Sequence, residues 1–121
     1  AAIEYIDIGG PTMIRAAAKN YQHCLCLTSP EDYASAAAEL DAGLQNFSAA
    51  LRQRMARKAF ALMARYNSLI ADYFGEQTSK DKDILPERLS LHYGIGQRLS
   101  YGENRHKEAA LYEQGGKWRY G

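Results

Sequence analysis

From Ser48 to Phe74 the apolar residues return at alternating steps of three and four: Leu51, Met55, Ala59, Leu62, Tyr66, Leu69 and Tyr73. That spacing predicts one long amphipathic helix, and a stripe of such length must be covered by something. The face carrying Leu51, Met55, Leu62, Tyr66 and Leu69 is expected to be buried. Arg52, Arg54, Arg57, Lys58 and Arg65 decorate the same helix. They spread around its circumference instead of forming one stripe, which fits a solvated surface better than a nucleic-acid interface.

Nearer the start, Asp7-Ile8-Gly9-Gly10-Pro11-Thr12 leads into the alanine-rich run Arg15-Ala16-Ala17-Ala18-Lys19. Ile3 to Ile6 reads as a short strand. The diglycine then allows a tight turn and a close approach to a ligand, and Pro11 pre-sets the first helical turn. A helix start of this kind offers unpaired N–H donors and a partial positive charge, which favour phosphate or a polarised carbonyl. Lys19 follows Asp7 by twelve residues, roughly 18 Å along a straight helix axis, so the two meet only if the chain folds back. The bland alternative is a Gly-Gly turn that packs a helix on a sheet.

A second strand is expected over Tyr21 to Leu27, with Cys24 and Cys26 on one face as plain buried thiols. Ser29-Pro30-Glu31-Asp32 then signals a helix start, with Ser29 as cap, and that helix should end near Gly43. The polar, aperiodic run from Gly75 to Asp83 marks a linker, placed at 75–84. Beyond it Leu89, Leu91 and Tyr93 alternate with polar residues and begin a half-buried strand of a second, β-containing unit. Gly94-Ile95-Gly96 is too short for a dinucleotide loop.

Fifteen basic against fourteen acidic residues in 121 exert no global pull toward nucleic acid or anionic membrane. No apolar run approaches the roughly 20 residues needed to cross a bilayer, and the start lacks a signal-peptide profile. A cytoplasmic protein without membrane or nucleic-acid partners is the default expectation. His23, His92 and His106 read as hydrogen-bonded structural histidines. No His/Cys/Asp/Glu set has metal spacing, so no metal site is expected. The chain begins inside a strand and stops after a fresh aromatic run, as a piece of a longer polypeptide would.

The string from Asp7 through Lys19 to Asn20 closely resembles the Ile-Asp-Ile-Gly-Gly-x-Thr-x-x-Arg-Ala-Ala-Ala-Lys-Asn signature of the IMP cyclohydrolase half of the bifunctional purine-biosynthesis enzymes. The segment from Lys58-Ala59-Phe60 through Ala64, Tyr66, Ile70, Asp72 and Tyr73 is similar to that family's long helix. Leu62-Met63 stands where His-Thr is usual, and Asn67 where Asp is usual. Further on, Leu99-Ser100-Tyr101-Gly102-Glu103-Asn104-Arg105-His106-Lys107-Glu108-Ala109-Ala110 resembles the Leu-Arg-Tyr-Gly-x-Asn-Pro-His-Gln-x-x-Ala motif opening the AICAR transformylase half. Here Ser100 replaces the arginine, Arg105 the proline and Lys107 the glutamine.

The resemblance implies an α/β protein. Residues 1–74 would be the latter half of a parallel-sheet, methylglyoxal-synthase-like cyclohydrolase domain. Residues 85–121 would form the first strands of a cytidine-deaminase-like transformylase domain. The implied activity is formyl transfer from 10-formyltetrahydrofolate to AICAR, then cyclisation of the product FAICAR to IMP with loss of water, by a homodimer. Asp7 and Lys19 would be catalytic, Lys19 through proton transfer or electrostatic support, and Lys19 is expected to reach the same pocket as Asp7. Ile8, Gly9, Gly10 and Thr12 would bind substrate in one site, and Ser100, Tyr101, Asn104 and His106 in the other. The family's other catalytic segments are not found in these 121 residues, which alone are expected not to catalyse. Two other readings stay open: a non-catalytic α/β interaction module assembled through its long helix, and a nucleotide-binding regulatory domain.

Overall fold

The computed structural model describes residues 2–43, 47–78, 89–99 and 109–114, and the chain divides into two units, Ala1–Lys80 and Asp81–Gly121. In the first unit, helix α1 spans Gly9–Lys19, α2 Tyr33–Asp41 and α3 Ala49–Thr78. In the second, β1 (Tyr93–Leu99) and β2 (Ala109–Gln114) pair antiparallel.

Helix α3 is the expected long element, and its start is fixed by polar groups. The Leu51 N–H donates to Ser48 Oγ at 3.1 Å, so Ser48 caps the helix. Ser48 in turn donates its N–H and its hydroxyl to the two Glu39 carboxylate oxygens, each at 2.6 Å. These two bonds, the hydroxyl first, hold the Glu39 carboxyl below the usual carboxylate range. A depressed carboxylate pKa adds stability that is complete above the unfolded value of about 4.3 and is lost as pH falls through the folded value. Thermal melts from pH 6 downward should therefore show Glu39→Ala melting below the parent chain near neutrality, with the two curves converging in acid. Parallel curves would show that the Glu39–Ser48 contact contributes nothing.

The buried side of α3 is centred on Leu51, Met55, Ala56, Ala59 and Met63, all 6 % exposed or less. Leu51 and Met55 each contribute about 1.5–3 kcal/mol by leaving water. They pack with Ala36 of α2 and with Leu25, Leu27 and Phe47. Next to them, Ala56 and Ala59 meet Ala18 and Cys26, flanked by Ile14, Ala17 and Tyr21. Small residues on both helices let α1 and α3 approach closely. The expected stripe needs one correction: Met63 is buried while Leu62 is half-buried, and Leu69 is exposed. The seam advances by fours from Leu51 to Met63, so it leaves the spacing of three that would have carried it to Leu62 and Leu69.

Neither expected strand of the first unit forms. Ala2–Tyr5 is a 3-10 helix, closed by the Ile6 N–H on the Ile3 carbonyl at 3.1 Å. After α1 the chain turns over Asn20–His23 and then runs without ladder partners to Thr28. An extended segment needs a neighbouring strand for its backbone groups, and none is found among the described residues of this unit. The ladder β1–β2 is antiparallel, and the described residues form no parallel one. Cys26 is buried as expected, its thiol raised in pKa by burial, whereas Cys24 is half-buried.

Pro30 opens a short 3-10 turn that leads into α2, and α2 ends before Gly43, whose φ of 80° is open to glycine at little cost. Ser29 makes no side-chain cap bond. The Asp32 carboxylate that could have completed a capping box is instead 2.5 Å from Lys58 Nζ on α3, with Glu31 at 3.2 Å. The Asp32 hydrogen bond is also the main reason the Lys58 pKa is raised. Gly75 to Thr78, assigned above to the linker, continue α3.

In the second unit Leu89 to His92 are irregular, and the strand begins at Tyr93. Leu89, Leu91 and Tyr93 are exposed, not half-buried. The ladder runs from Tyr93↔Gln114 to Ile95↔Tyr112, then resumes at Gln97↔Leu111 and ends at Leu99↔Ala109. Gly96 is the extra residue of a bulge between these two stretches.

Candidate functional site

The segment Asp7 to Thr12 forms a capped helix start. Oδ1 of Asp7 accepts the Gly10 N–H at 3.3 Å, and the Thr12 hydroxyl donates to the Ile8 carbonyl at 2.7 Å. A side chain at Gly10 would place its Cβ 2.5 Å from Asp7 Oδ2. Glycine is therefore what lets the carboxylate fold back over the helix end.

The donors expected to be open at this helix start are mostly taken. Gly10 serves Asp7, Pro11 has no N–H, and Thr12 donates to the Ile8 carbonyl at 3.1 Å. The Gly9 N–H remains without a partner among the described residues. A carboxylate seated here disfavours phosphate, so of the two expected ligands, phosphate or a polarised carbonyl, the second suits this turn better. What the corner offers is one acceptor, Asp7 Oδ2, and, two residues on in the same turn, one donor, the Gly9 N–H. That pairing suits an amide or a formamide, which presents an N–H and a carbonyl together.

Asp7 is also tied to α3. Its N–H donates to the Tyr66 hydroxyl at 2.9 Å, and with Ala18 against Ala56 and Ala59 at the other end, α1 and α3 run antiparallel. From the sequence Tyr66 stood out in the apolar stripe and in the helix that resembles the family's, without a role; the signal for more was its hydroxyl, which on a half-buried seam seeks a partner.

Ile8, Gly9, Gly10 and Thr12 thus lie in one turn with Asp7. Lys19 does not join them: α1 is unbroken from Gly9 to Lys19, leaving Asp7 and Lys19 at opposite ends, roughly 18 Å apart along the axis. Lys19 is exposed in the last turn of α1. Ser100, Tyr101, Asn104 and His106 lie outside the described residues.

Of the basic residues on α3, Arg52 donates to the Tyr21 carbonyl at 2.9 Å and to the Phe47 carbonyl at 2.6 Å, and Lys58 serves Asp32 and Glu31. Both act within the fold. Among the described residues no three His, Cys, Asp or Glu side chains gather to hold a metal, and no helix is long and apolar enough to cross a membrane.

Comparison with known proteins gives the same answer as the two motifs. The bifunctional purine biosynthesis protein PurH of Rippkaea orientalis is 45% identical over 114 residues, 94% of this chain and 22% of that protein. Its namesake from Acidithiobacillus ferrooxidans is 44% identical over 115 residues, 94% of this chain and 22% of that protein. The one from Streptococcus pyogenes serotype M6 is 44% identical over 114 residues, 93% of this chain and 21% of that protein. The chain therefore spans about a fifth of the length of the curated relatives it matches. The model of the AICARFT/IMPCHase bienzyme matches residues 17–120, and the chain belongs to that family.

Proposed function

We propose that this chain is part of a bifunctional enzyme that transfers a formyl group from 10-formyltetrahydrofolate to AICAR and closes the product, FAICAR, to IMP. The observation that carries the proposal is the Asp7–Gly10 corner in a chain of this family. In ring closure an exocyclic nitrogen adds to the formyl carbon, its proton passes to the formyl oxygen, and the resulting hydroxyl leaves as water with a second proton. The corner supplies what that step requires: an acceptor for the N–H that is lost, at Asp7 Oδ2, and a donor for the carbonyl oxygen that gains charge, at the Gly9 N–H.

On this reading Ile8, Gly10 and Thr12 shape the corner, and Lys19 contributes charge or a proton from another part of the substrate. Ser100, Tyr101, Asn104 and His106 belong to the nucleotide site of the transformylase half. Residues 1–74 belong to the cyclohydrolase domain, which in the whole protein is built on a methylglyoxal-synthase-like parallel sheet. Residues 75–84 join it to the cytidine-deaminase-like transformylase domain that starts at 85. The enzyme works as a cytoplasmic homodimer and draws no metal from this segment.

In the full-length polypeptide, Asp7→Ala should slow ring closure at least about tenfold, the loss of one charge-assisted contact, and leave formyl transfer intact. The two steps are assayed separately, with FAICAR and with AICAR plus the folate donor. Undiminished ring closure would remove this corner from the reaction.

A further inference from the structure

We infer that Tyr66 is a positioning residue for ring closure, an inference that rests on the reading of the Asp7 corner given above. Its hydroxyl accepts the Asp7 N–H at 2.9 Å across 59 residues of sequence. Among the described residues it is the side-chain hydrogen bond that ties the Asp7 turn to α3.

The geometry explains why such a link matters. The packed part of α1 lies toward its C-terminal end, where Ala18 is 1 % exposed against Ala56 and Ala59. At the other end Tyr5, Ile8 and Met13 are all at least 70 % exposed, so apolar packing does little to fix the turn that holds Asp7. The carboxylate itself is held by one bond of 3.3 Å to Gly10. A hydroxyl reaching up from the seam of α3 sets where the backbone of Asp7 sits, and so where Oδ2 and the Gly9 N–H face the substrate. Misplacement by a fraction of an ångström at such a corner is felt in the rate.

Tyr66→Phe removes the hydroxyl and keeps the ring in the seam. In the full-length polypeptide it should lower kcat for ring closure roughly 3- to 10-fold, the worth of one neutral hydrogen bond, with KM for FAICAR and the formyl-transfer rate unchanged. Because Tyr66 acts largely by aiming the Asp7 carboxylate, the same substitution placed on Asp7→Ala should cost clearly less than it does on the parent. Full additivity on that background, or a normal kcat for Tyr66→Phe where Asp7→Ala is impaired, overturns the inference alone. An equal fall in both activities with a lowered melting temperature also overturns it, since Tyr66 then serves folding. Normal ring closure in Asp7→Ala itself overturns the reading of the corner, and the role of Tyr66 with it.

Discussion

Lys19→Ala, made in the full-length polypeptide, is expected to slow ring closure about 100- to 10,000-fold, the range associated with losing a positioned proton-transfer group. Formyl transfer should be unchanged. The fold gives little reason for any other effect. Lys19 is exposed in the last turn of α1, where a cation adds only about 0.3–1 kcal/mol by facing the negative end of the helix. Because α1 runs unbroken between them, Asp7 and Lys19 of one helix do not grip the same atom. Their substitutions should therefore multiply in the double variant, unlike those of Asp7 and Tyr66. The check is the FAICAR rate for each single variant and the pair. Normal ring closure in Lys19→Ala would leave Lys19 as a helix-end cation and nothing more.

Ser100→Arg is expected to tighten AICAR binding roughly 10- to 200-fold. The transformylase motif that this stretch resembles carries an arginine there, and a guanidinium holds phosphate through a two-pronged fork that a hydroxyl cannot copy. A charge-assisted hydrogen bond contributes about 1.5–3 kcal/mol, which corresponds to that range of affinity. Two other cations stand close in sequence. Arg98 on β1 pairs with Ala110 of β2 and is exposed; Arg105 lies five residues beyond Ser100. Titrating AICAR against the full-length polypeptide and its Ser100→Arg, Arg98→Ala and Arg105→Ala variants separates the cases. If Arg105→Ala alone abolishes binding, the contact has moved along the chain. If no variant shifts affinity, these residues do not hold the nucleotide.

The long helix was readable because 27 residues of steady period outweigh any local ambiguity. Its seam was less so, since the choice between Leu62 and Met63 depends on tertiary packing, which no local spacing encodes. The two strands misread in the first unit show the opposite limit. Ile3 to Ile6 is a short apolar run that suits strand or helix, and without a neighbouring ladder it closed its own hydrogen bond as a 3-10 turn. For the site, the glycines and Pro11 marked the turn correctly. That Asp7 would occupy the helix donors itself was not evident, because the same residues suit a free donor set and a capped one. The reach of Tyr66 over 59 residues left no trace in local spacing.

The bulge at Gly96 governs how the hairpin must be read. Paired residues share a side of a sheet, so Tyr93, Ile95 and Tyr112 fall on one side together with Arg98, while Leu99 and Leu111 fall on the other. Strict alternation along β1 would have put Leu99 beside Ile95. By shifting the parity once, the chain spreads its greasy residues over both surfaces of a two-stranded ribbon, whereas a sheet with one wetted surface keeps them to one. The ribbon thereby carries apolar side chains on both surfaces, and it is the unpaired Gly96 that sets its final three residues on the sides they hold: a residue inserted opposite Gly96 in β2 would turn them over like a page, whereas deleting Gly96 would leave them where they are.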